Sequence, residues 1–302
     1  MPKAAPAPPW RMKNPFLLPG RWYKANLHTH TTASDGVVSP AERVRQYRRA
    51  GYHVLALTDH RKTNDCRQLD GRGMLLISGI ECHPLCPSAG VPLHLVGLHV
   101  PHGFAPSCPD DANRTIADIR SAGGEVILAH PAWCCQGYDD FRDLRHLAAV
   151  EVYNATCARH GRASSESEWD IALHHEMSLP CIGVDDCHCA DGEDVFESWT
   201  WLRMPSLGVR QVLRALRTGA CYASCGPRIH DFRLADGQVR LRCSPAQEVT
   251  FIGGPGQGAR RRAEPGQTLR GFRIARPGWK HVRARVTDSR GRCAWTNPLR
   301  LT

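Results

Sequence analysis

Short apolar runs alternate with longer mixed stretches along the first three quarters of the chain, and the apolar runs end repeatedly on a histidine or a carboxylate. Residues 21–25 read as a strand that delivers Asn26-Leu27-His28-Thr29-His30. Side chains of an extended segment repeat every second residue, so His28 and His30 share a face. Asp35 follows on a turn closed by Gly36. Ser39-Pro40-Ala41-Glu42 opens a helix: Ser39 caps it, Pro40 takes its first position, and Glu42 completes a capping box. Gly51 stops that helix, and residues 52–58 form the apolar run expected of a buried parallel strand, ending in Asp59-His60. The same motif recurs at 73–80, ending at Glu81, and at 92–100, which carries His94. A helix at 110–122, closed by Gly123-Gly124, leads to a strand at 125–129 that stops at His130-Pro131, where the proline turns the chain outward. A short helix at 141–147 precedes a strand at 149–153 ending at Asn154. A helix at 166–177 precedes a strand at 180–184 ending at Asp185-Asp186-Cys187-His188. A helix at 209–218 and a strand at 220–224 close the region.

Strands alternating with helices predict an α/β fold with a parallel sheet. About seven or eight such units favour a barrel over an open sheet, and in barrels of this type the site lies at the rim of strand C-termini. After Gly226 the texture changes to short alternating stretches at 231–234, 239–243, 248–252 and 281–287, separated by Gly, Pro and Asp. This predicts a small C-terminal antiparallel β-sandwich domain. Arg260-Arg261-Arg262 is expected in a solvated turn between two of its strands. The expected organisation is an extended arm at 1–20, a barrel at 21–226 and the β-domain at 227–302, with no internal repeat.

Composition adds little to this picture. The 302 residues include 39 Lys+Arg against 29 Asp+Glu, a formal net charge of +10. A basic balance suits an anionic substrate, but net charge speaks first to solubility and non-specific binding. No apolar run approaches the roughly 18 residues needed to cross a bilayer, so no membrane partner is expected. The proline-rich start, MPKAAPAPPWRMKNPF, lacks the apolar segment of a secretory signal. The 14 cysteines are scattered, with no zinc-ribbon pair of CxxC motifs. They read as free thiols of a cytoplasmic protein, most of them small apolar fillers. Cys134-Cys135 and Cys187-His188-Cys189 stand out as oxidation-prone.

Collected, the strand-end residues are His28, His30, Asp35, His60, Glu81, His94, His130, Asp186 and His188. Burying that many ionisable groups without compensation is costly, and metal ions are the usual remedy. At this point the chain resembles the PHP metallohydrolases, named for polymerase and histidinol phosphatase. The resemblance rests on HTHTTASDG, Leu57-Thr58-Asp59-His60, Gly79-Ile80-Glu81, His94 with Gly97, Ala129-His130-Pro131 and Asp185-Asp186-Cys187-His188, in the family's order and spanning residues 22 to 225. It implies a distorted seven-stranded β/α barrel, (β/α)7, holding two or three divalent ions. It would assign His28, His30, Glu81 and Asp186 to one ion. Glu81 would bridge to a second held also by His94 and His130, and Asp35, His60 and His188 would hold a third. Glu81, His130, Asp186 and His188 are the expected catalytic residues. A narrower resemblance, to a stand-alone bacterial subgroup that includes carbaryl hydrolases, rests on Tyr222-Ala223-Ser224-Cys225-Gly226-Pro227 and Ala294-Trp295-Thr296-Asn297-Pro298. Glu151-Val152-Tyr153-Asn154 and Trp169-Asp170 add to it.

The chemistry so implied is hydrolysis: paired ions lower the pKa of a bridging water to give a hydroxide nucleophile and take up charge developing on oxygen. Imidazole and carboxylate donors suit Zn, Mn or Fe. Cys82, Cys187 and Cys189 flank ligands, but alternation points them away. Asp59 either orients His60 or caps the following turn. For substrate contacts the candidates are Arg61, Asn154, Arg159 and Arg162 (with His160), and Trp133 as a pocket wall; paired guanidinium donors clamp phosphate well. The leading expectation is a phosphoesterase acting on a small anionic substrate. The alternative is a carboxylic ester, amide or carbamate hydrolase on the same centre, and the third is a non-catalytic metal-bound or nucleic-acid-binding module.

Overall fold

In the computed structural model, which describes residues 12–86 and 90–301, strand β1 (Arg21–Asn26) is followed by helix α1 (Pro40–Arg49), then β2 (Val54–Leu57), β3 (Leu75–Cys82) and β4 (Leu95–Leu98). Next come α2 (Ala112–Ser121), β5 (Glu125–Leu128), α3 (Tyr138–Phe141), β6 (Leu147–Asn154), α4 (Ala155–Ala158), α5 (Glu166–His174) and β7 (Cys181–Val184). β8 (Trp199–Met204), α6 (Val209–Thr218) and β9 (Cys221–Ser224) complete the first part. The fold is mixed α/β, built on one large sheet with few helices. Ser39 caps α1 by accepting the Glu42 amide at 3.2 Å, but the Glu42 carboxylate pairs with Arg45 instead of closing a capping box. The buried face of α1 carries Arg43, Val44 and Tyr47.

Strands β1, β2 and β3 run parallel, as do β5, β6 and β7. β4 departs from the expected parallel order and lies antiparallel to both β3 and β5. The described residues of the link from β3 to β4 contain no helix, and β4 lies beside β3 as a hairpin-like neighbour. The extensions beyond β1 and β7 meet each other. Thr29 bridges Cys187, the Asp186 amide donates to His28 O at 2.9 Å, and the His30 amide donates to Cys187 O at 3.1 Å. The C-terminal ends of six parallel strands and the N-terminal end of β4 therefore face one rim.

Sequence reading overlooked β8, whose residues alternate between half-buried and buried. It pairs antiparallel with β1 and β9, so the last strands of this region are not part of a parallel set. The helix expected at 141–147 is also displaced: α3 ends at Phe141 and β6 begins at Leu147. Asp140 receives the Gly137 amide at 2.7 Å, which sets the helix start earlier.

The remaining strands are β10 (Ile229–Ala235), β11 (Gln238–Ala246), β12 (Glu248–Ile252), β13 (Gly258–Arg262), β14 (Leu269–Ala275), β15 (His281–Thr287), β16 (Cys293–Thr296) and β17 (Leu299–Arg300). β10, β11 and β14 form a separate antiparallel sheet, whereas β16, β15, β12 and β13 continue the large sheet outward from β9. Phe232, Val239, Leu241, Val249, Phe251, Val282 and Ala284 fill one core between them. Arg260, Arg261 and Arg262 lie in edge strand β13, not in a turn, and Arg262 pairs with Glu248 at 3.3 Å; charged edge strands resist pairing with other chains. Residues 1–11 of the expected arm fall outside the described residues. Residues 12–20 are not extended away from the body: Phe16 packs at 5.3 Å from Trp22 and 5.8 Å from Tyr222, and the Asn14 amide donates to Phe232 O.

Candidate metal centre

Nine donors named from the sequence come together at the rim: eight follow the C-terminal end of a strand or lie at it, and His94 immediately precedes the antiparallel β4. His28, His30 and Asp186 converge most closely. His28 Nε2 and His30 Nε2 lie 3.0 and 2.9 Å from Asp186 Oδ1, and 3.4 and 3.3 Å from Glu81 Oε2. Glu81 also faces the other side of the cluster, with Oε1 2.7 Å from His94 Nδ1 and 3.5 Å from His130 Nε2. Asp35 joins a third group: it stands 3.3 Å from His60 Nε2, 3.4 Å from His188 Nε2 and 3.5 Å from His30 Nδ1.

Electrostatics give these groups strained ionisation states. Burial alone would depress His30, but the close negative carboxylates of Asp186 and Glu81 lift it to about 9. Burial would raise Glu81 and Asp186, yet the surrounding imidazoles hold both well below the carboxylate range. Burial lowers His83 to about 4. Two further signs mark a site built for something other than these side chains. Glu81 Oε2 and Asp186 Oδ1 are buried and make no hydrogen bond of good geometry, although imidazole nitrogens crowd them. His130 and Asp186 hold φ of +27° and +54°, a left-handed backbone that non-glycine residues keep only where the surroundings impose it. Close, buried, mutually unsatisfied N and O donors are the set a divalent cation fits.

The shell behind the rim fixes these side chains. Glu151, on β6, receives His28 Nδ1 at 2.7 Å, the His130 amide at 3.0 Å and Asn154 Nδ2 at 3.0 Å. Asn154 also donates to Asp186 Oδ2 at 3.0 Å, so its amide is turned onto the cluster, not outward to a substrate. Asp59 neither orients His60 nor caps the turn after it. It accepts from the Thr31 amide and hydroxyl, the Ser34 amide and hydroxyl, and Asn64 Nδ2, and so pins the loop between His30 and Asp35. Gly36 closes that loop: a Cβ there would meet the His30 carbonyl carbon at 2.6 Å.

Of the other substrate candidates, Arg61 is exposed beside His60 and makes no ion pair among the described residues. Arg159 is paired with Glu193 at 3.0 Å and Asp194 at 3.6 Å. Arg162 is turned onto Ala132 O and Cys135 Sγ. Trp133 is 39% exposed, with its ring 5.0 Å from His160. Cys82 and Cys187 are buried away from the cluster as expected, and Cys189 contacts Arg159.

No family model matches the chain, but it is similar to a solved structure and to two curated relatives. The solved structure is a two-domain protein from Bacteroides vulgatus containing a predicted PHP-like metal-dependent phosphoesterase. It aligns with a TM-score of 0.55 at 16% identity, covering 96% of this chain and 99% of that one. The fold is PHP-like. A 5'-3' exoribonuclease of Haemophilus influenzae is 40% identical over 80 residues, which is 25% of this chain and only 28% of the relative's own length. An uncharacterized protein of Methanocaldococcus jannaschii is 23% identical over 188 residues, 55% of this chain and 82% of that one.

Within this PHP-like fold, sequence reasoning missed Glu151, His83 and Cys134 at the cluster. His83 Nε2 lies 3.9 Å from Glu81 Oε2, its ring 4.4 Å from His94 and 4.7 Å from His60. Cys134 Sγ lies 3.6 Å from His130 Nδ1. An acid inside the apolar run Ala149-Val150-Glu151-Val152 was the signal for Glu151, and alternation from Glu81 was the signal for His83. Among the described residues no helix is long and apolar enough to cross a membrane.

Proposed function

We propose that this protein is a metal-dependent hydrolase whose substrate is a phosphoester, with the diester the favoured form. The observation that carries the reading is the buried pair Glu81 and Asp186. Each turns a carboxylate oxygen without a good hydrogen bond toward His28 and His30, and that of Glu81 also faces His60 from the end of β2. His28, His30, Glu81 and Asp186 would hold one cation, Glu81, His94 and His130 a second, and Asp35, His60 and His188 a third. Their donor atoms form close, overlapping groups, among them His28 with His30 and Asp186, His28 with Glu81 and His130, and His30 with Asp35, His60 and His188. Divalent ions seated there would supply Lewis acidity, lowering the pKa of water and drawing charge from a phosphoryl oxygen.

The chain's own residues would do the rest. Glu151 and Asn154 hold His28, His130 and Asp186 at fixed angles, which keeps the donor set preorganised. Asp35 and His188, on the open side, would accept or return a proton near the leaving group when no third cation sits between them. Arg61 stands exposed at the mouth and would pair with a non-bridging phosphate oxygen. The local likeness to a 5'-3' exoribonuclease supports a phosphodiester over a carboxylic ester.

The test is a panel run on protein reconstituted with Mn, Zn or Fe: bis-p-nitrophenyl phosphate, p-nitrophenyl phosphate, a short oligoribonucleotide, and 1-naphthyl esters and carbamates. Hydrolysis of the diester or the oligonucleotide above the others is expected. Turnover of carbamates or carboxylic esters alone would replace the reading with the alternative, and metal binding without turnover of any ester would remove it.

A further inference from the structure

His130 presents its two ring nitrogens to two different neighbours. Nε2 faces Glu81 and Asp186 at 3.5 and 3.8 Å, while Nδ1 faces the sulfur of Cys134 at 3.6 Å. Other imidazoles of the cluster do not share this arrangement. His28 gives its second nitrogen to Glu151, and His188 gives its own to the Asp186 carbonyl at 2.7 Å. The sequence His130-Pro131-Ala132-Trp133-Cys134 sets the geometry. The Trp133 and Cys134 amides both donate to His130 O, at 2.9 and 3.3 Å, so the chain turns back after Pro131 and lays Cys134 over the His130 ring. Cys134 is 7% exposed and free, and His94, His130 and Cys134 each bring one donor atom within 4.8 Å of the others.

Spacing decides what such a group fits. With Zn–S of about 2.3 Å and Zn–N of about 2.0–2.1 Å, the edge of a tetrahedron between sulfur and nitrogen is about 3.6 Å. The separation of Cys134 Sγ from His130 Nδ1 is 3.6 Å. Without an ion, the same contact is a thiol–imidazole hydrogen bond; the third donor, His94, whose ligand atom lies within 4.8 Å of both, turns the pair into a three-sided group that a cation fits.

We propose that His94, His130 and Cys134 form a seat for a thiophilic divalent cation, of the class of Zn, Co or Cd, on the inner side of the centre. The inference rests on the metal-centre reading above, and goes beyond it by giving one position a sulfur ligand. Binding exchanges the thiol proton for the metal: an S–metal bond forms, the S–H bond breaks, and the proton passes to solvent. Hard ions such as Mn or Mg have little use for the sulfur. The seat therefore makes the centre discriminate between ion classes, and it competes for His130 with the position beside Glu81.

Cobalt reports on this directly. Full-length metal-free protein titrated with Co(II) is expected to show visible ligand-field bands together with a near-ultraviolet sulfur-to-cobalt charge-transfer band. Cys134→Ser is expected to lose the charge-transfer band, keep the visible bands from the remaining positions and retain its circular dichroism. Cys135→Ser, changing the exposed neighbour, is expected to keep both. In parallel, Zn but not Mn should protect Cys134 from alkylation, read by peptide mass spectrometry on the unmodified chain, so that the seat is tested even if a variant misfolds. Cobalt bound with visible bands but no charge-transfer band would overturn the seat and leave the metal centre standing. So would a charge-transfer band that survives in folded Cys134→Ser. No cobalt bound at all would overturn both.

Discussion

Glu151 shows how much of the centre depends on a residue that need not touch a metal. All three of its partners, His28 Nδ1, the His130 amide and Asn154 Nδ2, present hydrogens to it. An amide cannot satisfy them, because half of it is itself a donor. Glu151→Gln is therefore expected to lower metal affinity by roughly 10–100-fold, the usual cost of losing such a supporting group, read by chelator competition. Substitution of a direct donor is harsher: His28→Ala, Glu81→Ala or Asp186→Ala is expected to abolish hydrolysis and reduce bound metal by elemental analysis. Full activity with normal metal content in any of them would contradict the assignment. The ionisation states predict a pH dependence as well. His30 keeps its proton up to about 9 in the metal-free protein, against an ordinary value of 6.5, so metal must displace that proton. Apparent affinity is then expected to climb as pH rises toward 9 and to fall as it drops, which isothermal titration across pH would show.

At the level of elements, the loop between β1 and α1 carries His28, His30 and Asp35, and its shape is set from outside. Asp59, after β2, receives five hydrogen bonds from Thr31, Ser34 and Asn64, all as acceptor. Asp59→Asn turns one of its oxygens into a donor facing donors, and leaving buried partners unmet costs about 1–3 kcal/mol. The expected outcome is faster amide exchange at residues 31–35 and loss of the ion nearest Asp35 before the others. The antiparallel β4 is the element that sequence patterning handled least well. Its apolar run was legible, but direction is set by the connection from β3, whose described residues form no crossover helix. The reversal still brings His94 to the rim, because an antiparallel strand begins where its parallel neighbours end. β8 was missed for a related reason. Trp199 to Met204 carries its alternation in large, half-exposed residues on a strand that pairs only through distant partners, β1 and β9.

Across the whole molecule, the C-terminal strands are bound into the body that carries the centre. Asn297 accepts the Cys181 amide at 2.8 Å and donates to Gly219 O and Cys221 O. Buried Arg283 pairs with Asp170 at 2.7 Å and Glu166 at 2.9 Å on α5, and Trp295 stacks at 5.5 Å from Tyr153. Deleting residues 227–302 strips β9 of β16 and leaves those groups without partners. The truncated chain is expected to be insoluble or molten, with lost near-ultraviolet circular dichroism; a folded, metal-binding truncation would show that the sheet is separable. The sequence by itself determined the α/β character and pointed to the nine polar side chains that meet at the rim. Strand burial and strand termination are local properties, and a polar residue that ends an apolar run is visible without knowing its neighbours. Only the tertiary structure decided the direction of β4, the extension of the sheet through β16, and the contacts that Glu151, Asp59 and Cys134 make. Those depend on which side chains meet across tens of residues, and no local pattern records that meeting.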